Sequence, residues 1–523
     1  MWVDLLADEI LNARSVARHV VNDAKSPSGR VHVGALRGVM LHDCIARGLR
    51  ERRVTTEYVY GYDDYDPFDG LPPGREDLAP HLGRPLCDVP SPDPNIAPSF
   101  ARYYADDFTR AFTRLGARPH IYWTSEMYRA GQFDDAIRVA LDRAADIIEL
   151  DRAISGSRKA ERHPVQVICE VCGKIGTTVV KGWDGAQVAY ECSPDKVPWA
   201  QGCGYAGRRS PFAGGSKLQY ITEWAAKWKI LGVTVEAAGK DHMTRGGSHD
   251  RAVAIVEPIY QAPPPFSFSY EWFLVGGKKM RSSTGFGTPA AEYADLLQPD
   301  LGRFGIVRPH YRQHVNFDPS GETMVLLYDE FDRAAAAFFG RKDDADLART
   351  FHYSTAEGAP SDVFRMRFSR VVHLLQIPSA NVEQEAEREK GAPLTDADRA
   401  DLRARLEDAR RWLKTYAPSA YRFEIQTQLP ETARALSPEQ RQFLAELIPL
   451  VEQAEEGESL HARIHDLKGR HNLPAKAAFG AIYLAFLGKD SGPQAGWFLA
   501  ALDRDFVVRR LRDAASLAEG SRT

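Results

Sequence analysis

The segment Ser26-Pro27-Ser28-Gly29-Arg30-Val31-His32-Val33-Gly34-Ala35-Leu36-Arg37-Gly38 constrains this fold more than any other. Residues 17–22 before it are rich in β-branched side chains and read as a strand, while residues 39–45 after it have helical spacing. A strand, a glycine-rich turn and a helix N-terminus in succession aim backbone N–H groups and a positive dipole end at any anion above the turn. Gly29, Gly34 and Gly38 let backbone approach a ligand closely, and His32 supplies a compact donor beside it. An ordinary strand-to-helix turn without a ligand has the same local composition, so a second segment decides between the two.

That segment is Gly276-Gly277-Lys278-Lys279-Met280-Arg281-Ser282-Ser283-Thr284-Gly285. Its glycines act as hinges that let the cations close over charge developing in a transition state. Taken together, His32-Val33-Gly34-Ala35 and Lys279-Met280-Arg281-Ser282-Ser283 resemble the paired HIGH and KMSKS signatures of class I aminoacyl-tRNA synthetases.

The remaining chain alternates strands and helices, as in a doubly wound parallel sheet. Residues 2–12 read as an amphipathic helix and residues 55–61 as a second strand ending in Tyr62-Asp63-Asp64-Tyr65-Asp66-Pro67, carboxylates at the usual position of a ligand crevice. Residues 71–99 form an irregular proline-rich loop; 100–115 and 132–154 read as helices around a strand at 121–124. The sheet is expected to resume at 218–221, 224–228 and 233–238, the last strand delivering Gly239-Lys240-Asp241-His242 and Gly246-Gly247-Ser248 to its carboxyl edge. There an Asp can accept from a ribose diol and glycines can admit an adenine.

Residues 155–211 break the alternation. Cys169-Glu170-Val171-Cys172-Gly173 is a knuckle that can present two thiolates to one metal, and Cys192 and Cys203 can supply two more. Ten residues separate the second pair, so a four-thiolate zinc site and a metal-free ribbon both remain open. The other two of the six cysteines, Cys44 and Cys87, read as core fillers.

These landmarks, with Pro80-His81-Leu82-Gly83-Arg84-Pro85-Leu86-Cys87 and the terminal segment at 478–489, look like the class I form of lysyl-tRNA synthetase over almost the whole chain. The resemblance implies a Rossmann-type α/β catalytic domain in two halves (1–155 and 216–295), a zinc-binding insertion (156–215), a stem-contact-like connector (296–360) and an all-α anticodon-binding domain (361–523). It implies His32, Gly34, Lys278 and Lys279 as catalytic residues. ATP would be held by Ser26, Ser28, Gly29, His32, Gly34, Asp241, Gly246, Gly247, Lys279, Met280, Ser282 and Ser283. For lysine it implies Gly29, Trp224, His242 and Tyr270 as channel contacts, with Asp64 or Glu223 facing the ammonium. ATP, Mg2+, structural Zn2+ and tRNA(Lys) follow as ligands, with a cytoplasmic monomer expected.

Two departures stand out. Ala35 occupies a position that is usually Asn in the family, and Arg281 and Thr284 replace a serine and the lysine of its KMSSSKG loop. A glutamyl-type synthetase, or a catalytically impaired RNA-binding relative, would share most of these features.

Length and charge bound the rest. A chain of 523 residues, 44% hydrophobic, supports roughly three to five domains. A formal net charge of -4 leaves any basic surface local. No apolar run is long enough to span a bilayer and no signal-peptide pattern opens the chain. Thr395-Asp396-Ala397-Asp398 and Ser437-Pro438-Glu439-Gln440 read as capping boxes that open long helices.

Overall fold

The strand Arg18–Lys25 holds four consecutive buried residues, His19 to Asn22, as a parallel strand covered on both faces must. It pairs in parallel with Thr55–Tyr62, which pairs in parallel with His120–Trp123; Lys25, Tyr62 and Trp123 therefore end at one edge. On its other side Val21 bridges Val235, and Val235 bridges Phe266, both in parallel. Ala238–Gly239 and Ser269–Tyr270 continue that pairing. In order along the chain the five strands thus lie 3-2-1-4-5, and the winding reverses between the first and the fourth. A crevice opens at such a reversal, outside the carboxyl ends of the strands.

This computed structural model describes residues 1–156, 163–276, 289–453 and 456–517, with the backbone alone of Lys278 and Lys279. Contacts divide the chain into Met1–Phe317 with Gly340–Pro360, and Asp318–Phe339 with Ser361–Thr523. The boundary does not follow the expected connector at 296–360. Helix Thr323–Phe338 belongs with the helical unit because Tyr328 stacks on Phe368 at 4.0 Å and donates to Asp408, while Arg405 pairs with Asp332.

Two element readings need correction. Residues 218–221 and 224–228, expected as strands, form the end of the short strand Ser216–Leu218 and the helix Tyr220–Leu231. Residues 221–228 are buried on every side, Glu223 and Lys227 among them, so periodicity alone cannot separate a buried helix from a strand. Gln219 caps the helix by accepting from Ile221 N, and Trp224 meets Trp228 one turn on. The helix expected over 132–154 is two, Asp134–Asp142 and Ala144–Ser155, broken at Arg143.

The inserted ribbon stands on a stalk, Val165–Val167 paired antiparallel with Ser216–Leu218. Beyond it, Thr178–Trp183, Val188–Cys192 and Ala206–Arg209 form an antiparallel sheet. In the helical unit, Thr395 and Ser437 open Asp396–Thr415 and Pro438–Glu452 with complete capping boxes. Among the described residues no helix is long and apolar enough to cross a membrane.

Candidate active site

The helix Gly34–Glu51 begins immediately above the first strand, and its N-terminal turn looks into the crevice. His32 Nδ1 accepts from Gly34 N at 3.1 Å, fixing the imidazole beside that turn. Gly38 lets the helix pack closely here: a Cβ there would lie 2.7 Å from the Tyr270 hydroxyl and 3.1 Å from Asp23 Oδ2. One turn on, buried His42 donates from Nδ1 to Gly38 O at 2.7 Å and accepts from Ala237 N at Nε2, 2.9 Å away. Burial lowers its pKa, and this neutral tautomer fastens the helix to the fourth strand.

His32 bridges Pro289, and Ala290 N donates to Val31 O at 2.9 Å, so the start of helix Ala290–Leu296 lies against the His32 loop. Lys278–Lys279 forms a short antiparallel strand against Phe273–Val275. Met280, Ser282 and Ser283, like Arg281 and Thr284, lie outside the described residues, as do the side chains of Lys278 and Lys279.

At the strand reversal lies a cavity of about 280 Å³. His32, Gly34, Trp224, Asp241, His242 and Tyr270, all expected at the site, line it. Its aromatic wall comes from Tyr220, Trp224 and His242, with Trp224 edge-on to the His242 ring at 6.0 Å. Its polar wall comes from Asp63, within the carboxylate run expected at the crevice, and from Asp23, Lys25, Lys227 and Glu236, which sequence reasoning passed over. The available signals were an Asp inside a β-branched strand and a Lys four residues after Glu223 within a Trp- and Ala-rich run.

Their electrostatics differ. Glu236 accepts from the indoles of Trp224 and Trp228, and Asp63 pairs with Lys227 at 2.8 Å. Burial pushes each of these carboxyls up to about 6, with Lys227 pulling the other way. Burial pushes Asp23 up to about 7, against the pull of Ala24 N, which donates to it at 2.9 Å, and of the Lys25 and Lys227 ammonium groups. A recessed acid whose burial outweighs its partners suits a cationic ligand.

The two acids expected to face an ammonium do not reach the cavity. Asp64 turns to the opposite side of the chain from Asp63, accepting from Ser125 N at 2.8 Å and Ser125 Oγ at 2.6 Å, and so holds the start of helix Thr124–Arg129. Successive side chains at a strand end point opposite ways. Glu223 is 1% exposed, engaged by Tyr128 Oη at 2.6 Å and Lys217 Nζ at 2.6 Å.

The remaining expected residues frame the cleft without lining it. Ser26 donates to Asp66 Oδ2, Ser28 is exposed, and Gly29 has the positive φ, 154°, that favours glycine. Gly246 N donates to Asp250 at 2.8 Å, and a Cβ on Gly247 would press on Thr244 O and His242 O, so this pair shapes the turn into helix Ser248–Tyr260.

In the ribbon, Cys169, Cys172, Cys192 and Cys203 bring four sulfurs within 4.8 Å of one another. Cys169 lies 3.6 Å from Cys203, and Cys172 lies 3.6 Å from Cys192. A tetrahedron with metal–sulfur bonds of about 2.3 Å has edges of about 3.8 Å, so the set fits one zinc ion.

The family model described as tRNA synthetases class I (K) matches residues 1–357, and an anticodon binding domain model matches residues 401–515. The lysine–tRNA ligase of Methanosarcina barkeri (strain Fusaro / DSM 804) is 32% identical, covering 98% of each chain. Lysine–tRNA ligase 1 of Methanosarcina acetivorans is 33% identical over the same shares. Among solved structures, a glutamate tRNA ligase from Elizabethkingia meningosepticum covers 95% of this chain and 99% of its own, at 12% identity and a TM-score of 0.43. With a catalytic-region model matched over more than half its length, this chain belongs to the class I (K) family of tRNA synthetases.

Proposed function

We propose that this protein is a lysine–tRNA ligase that activates L-lysine with ATP and transfers it to the 3′-terminal ribose of tRNA(Lys). The observation that carries the reading is the cleft at the strand reversal: an aromatic wall beside a helix N-terminus, lined also by the recessed carboxyls of Asp23 and Asp63. An aliphatic stem with an ammonium end matches such a cleft. The named function of relatives at 32% and 33% identity over nearly the whole chain supports it.

In this reading Trp224, His242 and Tyr270 flank the lysine stem, with Gly29 at its backbone end, and Asp23 and Asp63 receive the ammonium. ATP, entering with Mg2+ on its phosphates, lies across Ser26, Ser28, Gly29, His32 and Gly34. Asp241 takes the ribose and Gly246 and Gly247 border the adenine. A lysine carboxylate oxygen attacks the α-phosphorus, the bond to the β-phosphate breaks, and pyrophosphate leaves. Lys279, Met280, Ser282 and Ser283 border the ATP, and charge developing on the phosphates is met by His32, the turn at Gly34, Lys278 and Lys279, so catalysis is chiefly positioning and electrostatic stabilisation. The tRNA 2′-hydroxyl then attacks the adenylate carbonyl, AMP departs, and lysine is esterified to the ribose.

Cys169, Cys172, Cys192 and Cys203 would hold a structural zinc, which closes the ribbon and supplies no chemistry to the reaction. Residues 361–523 hold the anticodon-reading surface, and the protein works as a cytoplasmic monomer.

Charging assays test this reading. Labelled lysine should become acid-precipitable on tRNA(Lys), and tRNA ending in a 2′-deoxy ribose should refuse it. Equal charging with glutamate, or none with lysine, contradicts the proposal.

A further inference from the structure

Lys217 sits on the stalk of the cysteine ribbon and is 1% exposed, with its strand neighbours Ser216 and Leu218 also buried. A lysine in such a place is costly unless its charge is used. Its Nζ lies 3.0 Å from Asp66 Oδ1 and 2.6 Å from Glu223 Oε2. Burial opposes its charge, yet these two carboxylates raise its pKa above the ordinary value, so the ammonium persists. The other oxygen of Asp66 accepts from Ser26 Oγ, at the root of the loop that leads to His32.

A second connection reaches Asp66 from the cysteine knuckle. Ile175 N and Gly176 N, just past Cys172, both donate to Gly83 O, at 2.6 and 3.0 Å. Arg84 Nε donates to Cys172 O at 3.2 Å. The same stretch carries Phe68 N to Arg84 O at 2.7 Å and Leu86 N to Asp66 O at 2.9 Å. The stalk and the knuckle therefore converge on one residue, Asp66, the stalk on its carboxylate and the knuckle on its backbone carbonyl, and that carboxylate holds Ser26.

We infer that Lys217 is a positioning residue that couples closure of the four-cysteine ribbon to alignment of the adenylation cleft, by fixing Asp66 against Ser26. The inference rests on the adenylation reading of that cleft. It has a reciprocal consequence: if ribbon closure aligns the cleft, filling the cleft steadies the ribbon.

The test uses the full chain loaded with zinc alone and mixed with a chromogenic chelator. ATP with lysine should slow zinc release several-fold in the native protein. In Lys217→Met the release rate should no longer respond. In lysine-dependent pyrophosphate exchange, kcat of that variant should fall by about tenfold or more, while KM for lysine stays within about twofold. Should Lys217→Met show no cooperative unfolding, Arg84→Ala removes the side-chain part of the knuckle connection and should measurably reduce the response. Failure to take up zinc, ligand-insensitive release in a native protein that performs exchange, or a native-like response in the folded Lys217→Met variant overturns the coupling. Absence of lysine-dependent exchange in the native protein instead strikes the adenylation reading.

Discussion

Lys227 Nζ lies 2.8 Å from Asp63 Oδ1, with both side chains buried, joining the helix Tyr220–Leu231 to the carboxyl end of the second strand. The pair belongs to a chain of alternating charge that runs through Glu223 and Lys217 to Asp66. Removing one partner strands a buried charge, which costs about 3–5 kcal/mol. Lys227→Met should therefore lower stability by that order in urea unfolding. Lys227→Met with Asp63→Leu should lose less than the sum of the single changes; strict additivity would show that the two do not interact.

Asp23 makes a pH prediction. Its carboxyl titrates near 7 in the fold against 3.8 ordinarily, so the folded chain holds the extra proton between those values. Its contribution to stability is accordingly greatest at the acid end, falls as pH rises towards 7, and is level above. Lysine binding runs the other way, since the ammonium needs Asp23 ionised: KM for lysine should fall between pH 6 and 8. Asp63 and Glu236 titrate nearby, with Lys25 and Lys227 facing them, so Asp23→Asn is the control. That variant should raise KM about tenfold or more at pH 8 and flatten the profile over this range; an unchanged KM would remove Asp23 from the ammonium site.

Gly38 tests the packing between the signature helix and the lysine channel. Gly38→Ala should push Tyr270 aside, because its Cβ would sit 2.7 Å from the hydroxyl, and should raise KM for lysine with a stability cost of about 1–3 kcal/mol. Adding Tyr270→Phe removes the atom in the way. The double variant should recover part of the stability loss, and a further loss would contradict this packing account.

Much of this arrangement was readable from residue order. A β-branched segment, a glycine turn and a helical period foretold the first strand and the helix above it, and the capping boxes at Thr395 and Ser437 announced their helices. Trp224 to Trp228 was misread because a segment buried all round loses the period that distinguishes helix from strand. Asp63 and Asp64 could not be told apart, since which of two adjacent carboxylates faces a cavity depends on how the turn leaves the sheet. Lys217, Lys227 and Asp23 gain meaning only from partners distant in sequence, 151 residues away for Lys217 and Asp66.

The cysteine set predicts about one zinc ion per chain. Metal analysis of Cys172→Ser should show that stoichiometry fall, together with the unfolding midpoint. Full zinc retention in this variant would contradict a four-thiolate site.

The most direct test of the central claim is amino-acid-dependent exchange of pyrophosphate into ATP, run with lysine, glutamate and arginine, with and without unmodified tRNA. The account predicts exchange with lysine and background rates with the other two. Silence with lysine even when tRNA is present, or equal exchange with glutamate, would contradict it.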